Sequence, residues 1–269
     1  MRHNRVREIF NSDELLLDTR MHSPWGNEID MIGCTALNTV QVVAEYGALE
    51  TLDFENLCRA AEANNLGKII KIDSAGQELR VQRAIGAGFE AVVFVDVHDR
   101  AEAEECVRII RASTPGDDGL NPVRLVRAFY PGYGGTQAYI EQLREIVVIL
   151  MIEKAEAVEN LHAILDVEGI DGIIWGPGDY WQSMGQPEKR GTDEDRAIQT
   201  HVHRAALDRG VEPIVEINTF EEAAPWLDMG IRMFSLGTTV SILHRYWRQH
   251  GDGVRELHAQ RKQTAAAAD

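Results

Sequence analysis

Two apolar stretches decide how this chain is expected to fold: Val148–Lys154, which reads VILMIEK, and Gly172–Tyr180, which reads GIIWGPGDY. The first run ends at Glu153, and the second is followed closely by Asp179. If both runs are parallel strands of one sheet, the two carboxylates lie at the same edge and can face each other. Carboxylate oxygens are the ligands that hard divalent cations such as Mg²⁺ and Mn²⁺ prefer. The two stretches therefore predict a metal-dependent enzyme.

Short β-rich runs alternate with helical patterns along nearly the whole chain. Most of the runs are continuously apolar, as is typical of parallel strands that are buried on both faces. Asp53 and either Thr192 or Asp193 are the predicted N-caps of two helices. The predicted helices include Asp53–Asn64, Ala101–Ala112, Ala155–Leu165, Asp193–Asp208 and Phe220–Leu227. The predicted strands are Leu15–Met21, Gln41–Glu45, Lys68–Ile72, Ala91–Val97, Val147–Ile152, Gly172–Trp175, Val211–Ile217 and Arg232–Leu236.

This alternation predicts an α/β fold, a (β/α)₈ TIM barrel formed as a single domain by residues 1–269. A doubly wound open sheet is the main alternative. No glycine-rich fingerprint follows the first strand, which argues against the dinucleotide-binding version of that fold. The Gly- and Pro-rich segment Ser113–Gly135 is expected to be a long loop at the C-terminal face of the barrel, where loops cover substrates.

The composition argues against several kinds of partner. The chain has 43 acidic and 27 basic residues, a formal charge of −16, which disfavours nucleic acid and anionic membranes. A local cation or a metal can still attract an anionic small molecule. Cys34, Cys58 and Cys106 have no metal-binding or redox spacing, so reduced thiols are expected. Because no signal core follows the N-terminus and no apolar run has membrane-spanning length, we expect a cytoplasmic protein.

Polar residues at the predicted strand ends are the candidates for chemistry, because catalytic groups of such barrels lie there. Lys71 ends a strand of isoleucines and could bind a substrate carboxylate or form a Schiff base. A salt bridge is an equally good interpretation of this lysine, with Asp73, Glu45 or Glu153 as its partner.

Histidines and aromatic residues are weaker candidates. His22 and His98 follow strand ends, and either could carry a proton. His201 and His203 lie two residues apart on a predicted helix and so do not share a face, which argues against a metal pair. The segment Phe129–Tyr133 either lines a pocket or packs its loop onto the barrel.

Several short motifs follow one another in a specific order: IEK at 152–154, AVEN at 157–160, GIDG at 169–172, GPGD at 176–179 and SMG at 183–185. In order and spacing they resemble the HpcH/HpaI aldolase family, the class II pyruvate aldolases of the phosphoenolpyruvate/pyruvate barrel superfamily. The resemblance implies a (β/α)₈ barrel with a divalent metal, Mg²⁺, Mn²⁺ or Co²⁺, on Glu153 and Asp179. It also implies a lyase that breaks or forms a carbon–carbon bond of a 2-oxo or 4-hydroxy-2-oxo acid through a pyruvate-type enolate.

The chain departs from the family pattern at three positions. Glu45 matches, but Tyr46 stands where the family has an acid/base His, Lys71 where it has an Arg, and Met151 where it has a Gln. We expect Lys71 to neutralise the enolate as a point charge, without the bidentate fork of Arg. Tyr46 could transfer the proton if Lys71 or the metal lowers its pKa.

The segment around the second carboxylate is expected to bind the substrate. Trp175 stands beside a glycine-proline-glycine turn formed by Gly176, Pro177 and Gly178. Such a turn lets backbone N–H groups approach the carboxylate of an anionic ligand.

Two other functions fit the same barrel. A CoA-thioester lyase like the citrate lyase β subunit, or a decarboxylase or hydrolase of a 2-oxo acid, would keep the metal. A CoA substrate needs a basic entrance, for which Lys68, Lys71, Arg124 and Arg127 are the candidates. A protein that binds a metal or an oxo acid without catalysis is the third possibility.

The C-terminal segment suggests assembly. A helix is predicted from Val240 to about Gln263, interrupted at Gly251 and Gly253, and residues 255–269 are expected to be a frayed tail. Members of the resembled family are commonly oligomers, often hexamers in which a C-terminal helix packs on a neighbouring subunit. We therefore expect a homo-oligomer, either a trimer or a hexamer.

Overall fold

A computed structural model of the chain describes residues 3–122 and 134–267 and shows a closed barrel of eight parallel strands. The (β/α)₈ prediction is confirmed. β1 pairs with both β2 and β8, which closes the sheet. The strands are β1 Leu16–Met21, β2 Thr39–Val43, β3 Gly67–Ile72, β4 Ala91–Phe94, β5 Val147–Ile152, β6 Gly172–Trp175, β7 Glu212–Ile217 and β8 Met233–Thr238.

Helices surround the barrel in the order that the sequence predicts. The described residues also form two short 3₁₀ turns among these helices, Pro187–Lys189 and Phe220–Ala223. The α-helices are α1 Arg5–Phe10, α2 Gly26–Gly33, α3 Thr51–Ala63, α4 Gln77–Ala87, α5 Arg100–Ile110, α6 Gly135–Glu145, α7 Ala155–Glu159, α8 Leu161–Leu165, α9 Pro177–Ser183, α10 Asp193–Leu207, α11 Ala224–Asp228 and α12 Thr239–Ala266.

Alternation along the strands divides the core into two layers. In β5, Ile149 belongs to the cluster inside the barrel, whereas Leu150 belongs to the layer between sheet and helices. The helix α1 contributes fully buried Val6 and Ile9 to the inner cluster. This cluster fills the barrel, so the space for a ligand lies at the strand ends.

Two local predictions need correction, and a third is confirmed. Glu50, and not Asp53, is the N-cap of α3. The Asp53 carboxylate accepts the backbone N–H of Glu50 at 2.9 Å, because a capping box places its acidic residue three positions after the cap. The predicted helix Ala155–Leu165 is two helices that meet at Asn160. For α10, the predicted cap Thr192 is confirmed.

The helix α12 runs through Gly251 and Gly253 without a break, so the predicted interruption is wrong. Each glycine costs a helix about 1 kcal/mol relative to alanine but keeps its backbone N–H, so it weakens the helix without ending it. The helix includes residues 255–266, most of the segment expected to fray. The loop segment Phe129–Tyr133 and the arginines Arg124 and Arg127 lie outside the described residues.

Within the part of the chain that the structure describes, no helix is both long enough and apolar enough to cross a membrane.

The buried histidine of α10 makes stability depend on pH. His203 is fully buried and packs on Trp226, with the ring centroids 5.0 Å apart. Neither ring nitrogen has a hydrogen-bond partner among the described residues. Burial alone lowers the pKa of His203 from 6.5 to about 3.

We predict that His203→Phe makes the protein less sensitive to acid. Between pH 6.5 and about pH 3, His203 binds a proton in the unfolded chain but stays neutral in the folded protein. The wild type should therefore lose about 1.4 kcal/mol per pH unit relative to the variant in this window. Urea unfolding at pH 7, 6 and 5 measures the difference. His201→Phe, on the exposed face of the same helix, is the control, and parallel curves for wild type and His203→Phe would contradict the assignment.

Candidate functional site

The candidate residues come together at the C-terminal ends of β2, β3 and β5. Lys71 lies near the end of β3, Tyr46 lies three residues beyond β2, and Glu153 directly follows β5. The Lys71 ammonium interacts electrostatically with Glu153 and with Glu45, and Glu153 also feels the charge of Asp179. The five residues that sequence reasoning selected for metal binding and catalysis therefore form one cluster.

Glu153 has one occupied and one free carboxylate oxygen. Its Oε1 accepts the backbone N–H of Asp96 at 2.9 Å. Its Oε2 is buried and has no hydrogen-bond partner among the described residues. Loss of water raises the pKa of Glu153 to about 7, and the charge of Asp179 adds to this, while the Asp96 N–H and the charge of Lys71 oppose it. A buried oxygen without a partner is costly, so Oε2 is well suited to a cation.

The close approach of β6 to Glu153 requires a glycine. A Cβ atom at Gly176 would lie 2.6 Å from Glu153 Cβ and 2.8 Å from Glu153 Oε2. It would also lie 3.0 Å from Cε of Met151, which points into the barrel below the site. Gly176 is therefore needed for the space around the carboxylate. This use of the glycine differs from the anion-binding turn that the sequence suggests.

The turn that follows β6 starts α9 and places Asp179 in its first turn. Gly176 donates its N–H to Ile152 at 3.0 Å, and Pro177 has no N–H to donate. The N–H groups of Gly178 and Asp179 lie in the first turn, where a helix offers no internal acceptor. These two groups are available to a ligand.

Lys71 is a charged ammonium held by its neighbours. Its Nζ lies 2.6 Å from Glu45 Oε2 and 3.4 Å from the Tyr46 hydroxyl. Burial favours the neutral amine, but Glu45, Glu153 and Tyr46 together raise the pKa of Lys71 above its ordinary value. A Schiff-base lysine needs a lowered pKa, so the structure favours the role of a fixed positive charge.

Tyr46 does not have the lowered pKa that proton abstraction at neutral pH needs. Partial burial raises the pKa of Tyr46, and the opposing effect of Lys71 is smaller. The ring is 66% exposed, with its centroid 5.1 Å from Nζ of Lys71. Tyr46 therefore carries its proton at neutral pH and can act as a donor, which corrects the expectation of a lowered pKa.

Trp175 points away from the cluster. Because side chains alternate along β6, Ile174 lies inside the barrel and Trp175 lies between sheet and helices. Its indole N–H donates to Asp195 of α10 at 3.1 Å, and the side chain is only 3% exposed. This placement does not fit the predicted contact with substrate. Trp175 instead anchors the helix behind the site.

The two candidate histidines differ in position. His98 is on the surface and pairs with Glu102 at 3.0 Å. His22 is half-buried at the end of β1, and burial followed by the charges of Arg20 and Lys71 lowers its pKa. His22 is therefore the histidine nearer to the cluster.

The sequence did not predict the hydrogen bond from Asp96 to Glu153, or the contacts of Ser74 and Lys154 with Asp96. The Asp96 carboxylate accepts a hydrogen bond from Ser74 at 2.7 Å and pairs with Lys154 at 2.7 Å. Asp96 has a left-handed backbone with φ 57°. A strand-end position makes Asp96 a candidate, but no sequence pattern predicts where its N–H points.

The donor set fits a metal that keeps part of its water. Among residues 3–122 and 134–267, no three His, Cys, Asp or Glu side chains converge as a metal site. Glu153 and Asp179 would thus be two protein ligands, and water or substrate would supply the rest. Mg²⁺ is commonly bound through one or two carboxylates in this way.

We predict that Gly176→Ala destabilises the protein, whereas Gly178→Ala does not. The φ of Gly176 is −108°, which alanine can adopt, so the cost comes from the collision with Glu153 and the tight contact with Met151. Overpacking of this kind costs about 1–3 kcal/mol. A Cβ at Gly178 would meet only Arg190, at 3.7 Å, and alanine there favours the helix. Urea unfolding of both variants tests the difference, and equal stabilities would contradict the account of Gly176.

Comparison with known proteins gives both family and fold. The chain is 27% identical over 171 residues to the 4-hydroxy-2-oxo-heptane-1,7-dioate aldolase of Escherichia coli, and the match spans 62% of this chain and 63% of that enzyme. The crystal structure of the citrate synthase SbnG has a TM-score of 0.84 at 22% identity, with 95% of this chain and 99% of that chain covered.

A more distant structure is the citrate lyase β subunit of Mycobacterium tuberculosis, complexed with oxaloacetate and magnesium. Its TM-score is 0.58 at 14% identity, with 87% of this chain and 95% of that chain covered. The family model described as HpcH/HpaI aldolase/citrate lyase matches residues 48–244, a stretch that contains Lys71, Glu153 and Asp179. Since this match covers well over half of the sequence, the chain belongs to the HpcH/HpaI aldolase/citrate lyase family.

Proposed function

We propose that the protein is a divalent-metal-dependent carbon–carbon lyase, an aldolase that cleaves or forms 4-hydroxy-2-oxo acids through a pyruvate-type enolate. The free, buried Oε2 of Glu153 is the observation that carries this proposal. It stands beside a second carboxylate and a fixed lysine at the substrate end of a barrel. The aldolase name of the E. coli relative supports the reaction class.

Glu153 and Asp179 would hold the metal, and Mg²⁺, Mn²⁺ or Co²⁺ suits their oxygen ligands. A bound divalent ion would act as a Lewis acid toward the keto and carboxylate oxygens of a 2-oxo acid. The magnesium of the M. tuberculosis citrate lyase β structure is consistent with this choice. The N–H groups of Gly178 and Asp179 would orient the substrate carboxylate, beside the space left by Gly176 and Pro177.

Lys71 and Tyr46 divide the remaining tasks. Lys71 stays charged and would neutralise the negative oxygen of the enolate, while Glu45 fixes its position through the 2.6 Å ion pair. Tyr46 keeps its proton and would donate it. The family His and Arg would thus be replaced by a proton donor and a point charge that contact each other.

A CoA-thioester substrate is less well supported. Lys68, a candidate for the basic entrance, lies near the start of β3, at the opposite end of the barrel from Glu153. It is buried in an ion pair with Glu90. Lys71 forms an ion pair with Glu45 and contacts the Tyr46 hydroxyl. The described residues therefore favour a small 2-oxo acid.

We predict that Glu153→Gln abolishes metal binding and lowers kcat/KM by at least about 10²-fold, because it removes the free anionic oxygen. Lys71→Met should lower kcat by about 10²–10³-fold and leave Mn²⁺ affinity nearly unchanged. The assay follows pyruvate released from 4-hydroxy-2-oxo acids, including 4-hydroxy-2-oxo-heptane-1,7-dioate, with and without Mn²⁺.

Glu212→Gln is the matched control, because Glu212 also lies on a barrel strand but pairs with Arg232 at the far end. It should retain both metal binding and activity. No metal-dependent release from any substrate of the panel, together with intact metal affinity in Glu153→Gln, would overturn the proposal.

We also propose that α12 packs on a second copy of the chain. None of its 28 residues is buried, although it carries exposed Ile242, Leu243, Tyr246 and Trp247. Beside it, Trp25 of the loop before α2 is 56% exposed. Exposed aromatic clusters of this kind are typical of interfaces. The resemblance to oligomeric family members supports a trimer or a hexamer.

The double variant Leu243→Glu/Trp247→Glu should sediment as a smaller species than the wild type in analytical ultracentrifugation, because two charges cannot be buried unpaired. Arg248→Glu, on the same turn of α12, is the control and should leave assembly unchanged. A monomeric wild type at micromolar concentration would contradict this proposal.

A further inference from the structure

The segment after β4 has an unusual backbone. Asp96 has a φ of 57°, in the left-handed region that residues with a Cβ rarely adopt. Asp and Asn tolerate this conformation better than other residues with side chains. The conformation aims the Asp96 N–H at Oε1 of Glu153, at 2.9 Å.

The side chain of Asp96 is held from two sides. Its Oδ2 accepts the Ser74 hydroxyl at 2.7 Å, and its Oδ1 lies 2.7 Å from Lys154 Nζ. Ser74 follows β3 and Lys154 follows β5, so Asp96, two residues beyond the end of β4, is tied to the segments that follow both neighbouring strands. These contacts occupy both oxygens of Asp96, which makes its carboxylate unsuited to bind a metal.

The N–H of Asp96 decides which oxygen of Glu153 is free. With Oε1 occupied and Gly176 leaving room beside Oε2, the carboxylate presents one oxygen to the site. Groups that orient metal ligands typically change metal affinity by about 10–100-fold when they are lost. An N–H donor also favours the charged form of the carboxylate over the protonated form.

We propose that Asp96 is a positioning residue for Glu153, which acts through its left-handed backbone N–H and is held by Ser74 and Lys154. The inference rests on the proposed function, in which Glu153 binds the metal. It assigns the metal-orienting role to the backbone conformation of Asp96, with its carboxylate as the anchor.

Three substitutions at Asp96 distinguish the effect of its backbone conformation from the effect of its carboxylate. Asp96→Gly keeps the N–H and adopts a positive φ freely, Asp96→Asn tolerates it, and Asp96→Val opposes it because valine is β-branched. Isothermal titration with Mn²⁺ should show affinity about 10–100-fold weaker for Asp96→Val and less than about fivefold weaker for the other two. Saturating Mn²⁺ should restore kcat in Asp96→Val, because Asp96 does not touch the substrate.

Asp118→Val is the matched control, since Asp118 also has a positive φ, of 47°, and is exposed away from the site. It should lose stability but keep Mn²⁺ affinity. If Asp96→Val does not fold, Ser74→Ala tests the anchor and should weaken Mn²⁺ binding severalfold. Wild-type Mn²⁺ affinity in Asp96→Val would overturn this inference but not the proposed function. If Asp96→Val does not fold, wild-type Mn²⁺ affinity in Ser74→Ala has the same meaning. The inference is also overturned if Asp96→Gly binds Mn²⁺ as weakly as Asp96→Val does. A wild type that binds no Mn²⁺ overturns the proposed metal site as well.

Discussion

The site depends on one carboxylate whose two oxygens have different surroundings. Glu153 is 1% exposed, with Oε1 bound by a backbone N–H and Oε2 left without a partner among the described residues. Burial makes the uncompensated charge expensive, so the arrangement favours either a proton or a cation at Oε2. The proximity of Asp179 adds a second negative charge, which a divalent ion offsets better than one proton does. In the proposed reaction, Lys71 would then supply the positive charge that the enolate needs.

The barrel makes this arrangement possible because the residues that fill its interior are different from those that form the site. Side chains such as Ile149 fill the interior, and α1 contributes Val6 and Ile9 to the same cluster. The polar groups stand at or beyond the C-terminal ends of the strands, where they meet those of other strands. The segments pack closely at this end, since a Cβ atom added at Gly176 would collide with Glu153.

Continuous apolar runs were enough to predict the barrel, because parallel strands buried on both faces carry such runs. The same runs do not show which residues face inward, and so Trp175 was predicted to bind substrate, although its side chain lies between sheet and helices. The position of Glu153 after its strand could be predicted, but its hydrogen bond to Asp96 could not, because a left-handed residue leaves no periodic signal. The raised pKa of Tyr46 comes from partial burial that outweighs the charge of Lys71, and only the packed structure shows this balance. The unbroken helix α12 shows that glycine alone does not end a helix.

Anomalous diffraction from crystals soaked in Mn²⁺ tests whether Glu153 and Asp179 bind the metal. We expect one strong manganese peak roughly 2.0–2.3 Å from Glu153 Oε2 and from a carboxylate oxygen of Asp179. The Asp96 N–H should still donate its hydrogen bond to Glu153 Oε1. A peak at other residues, or a Glu153 Oε2 bonded to a protein group with no manganese beside it, would contradict the account.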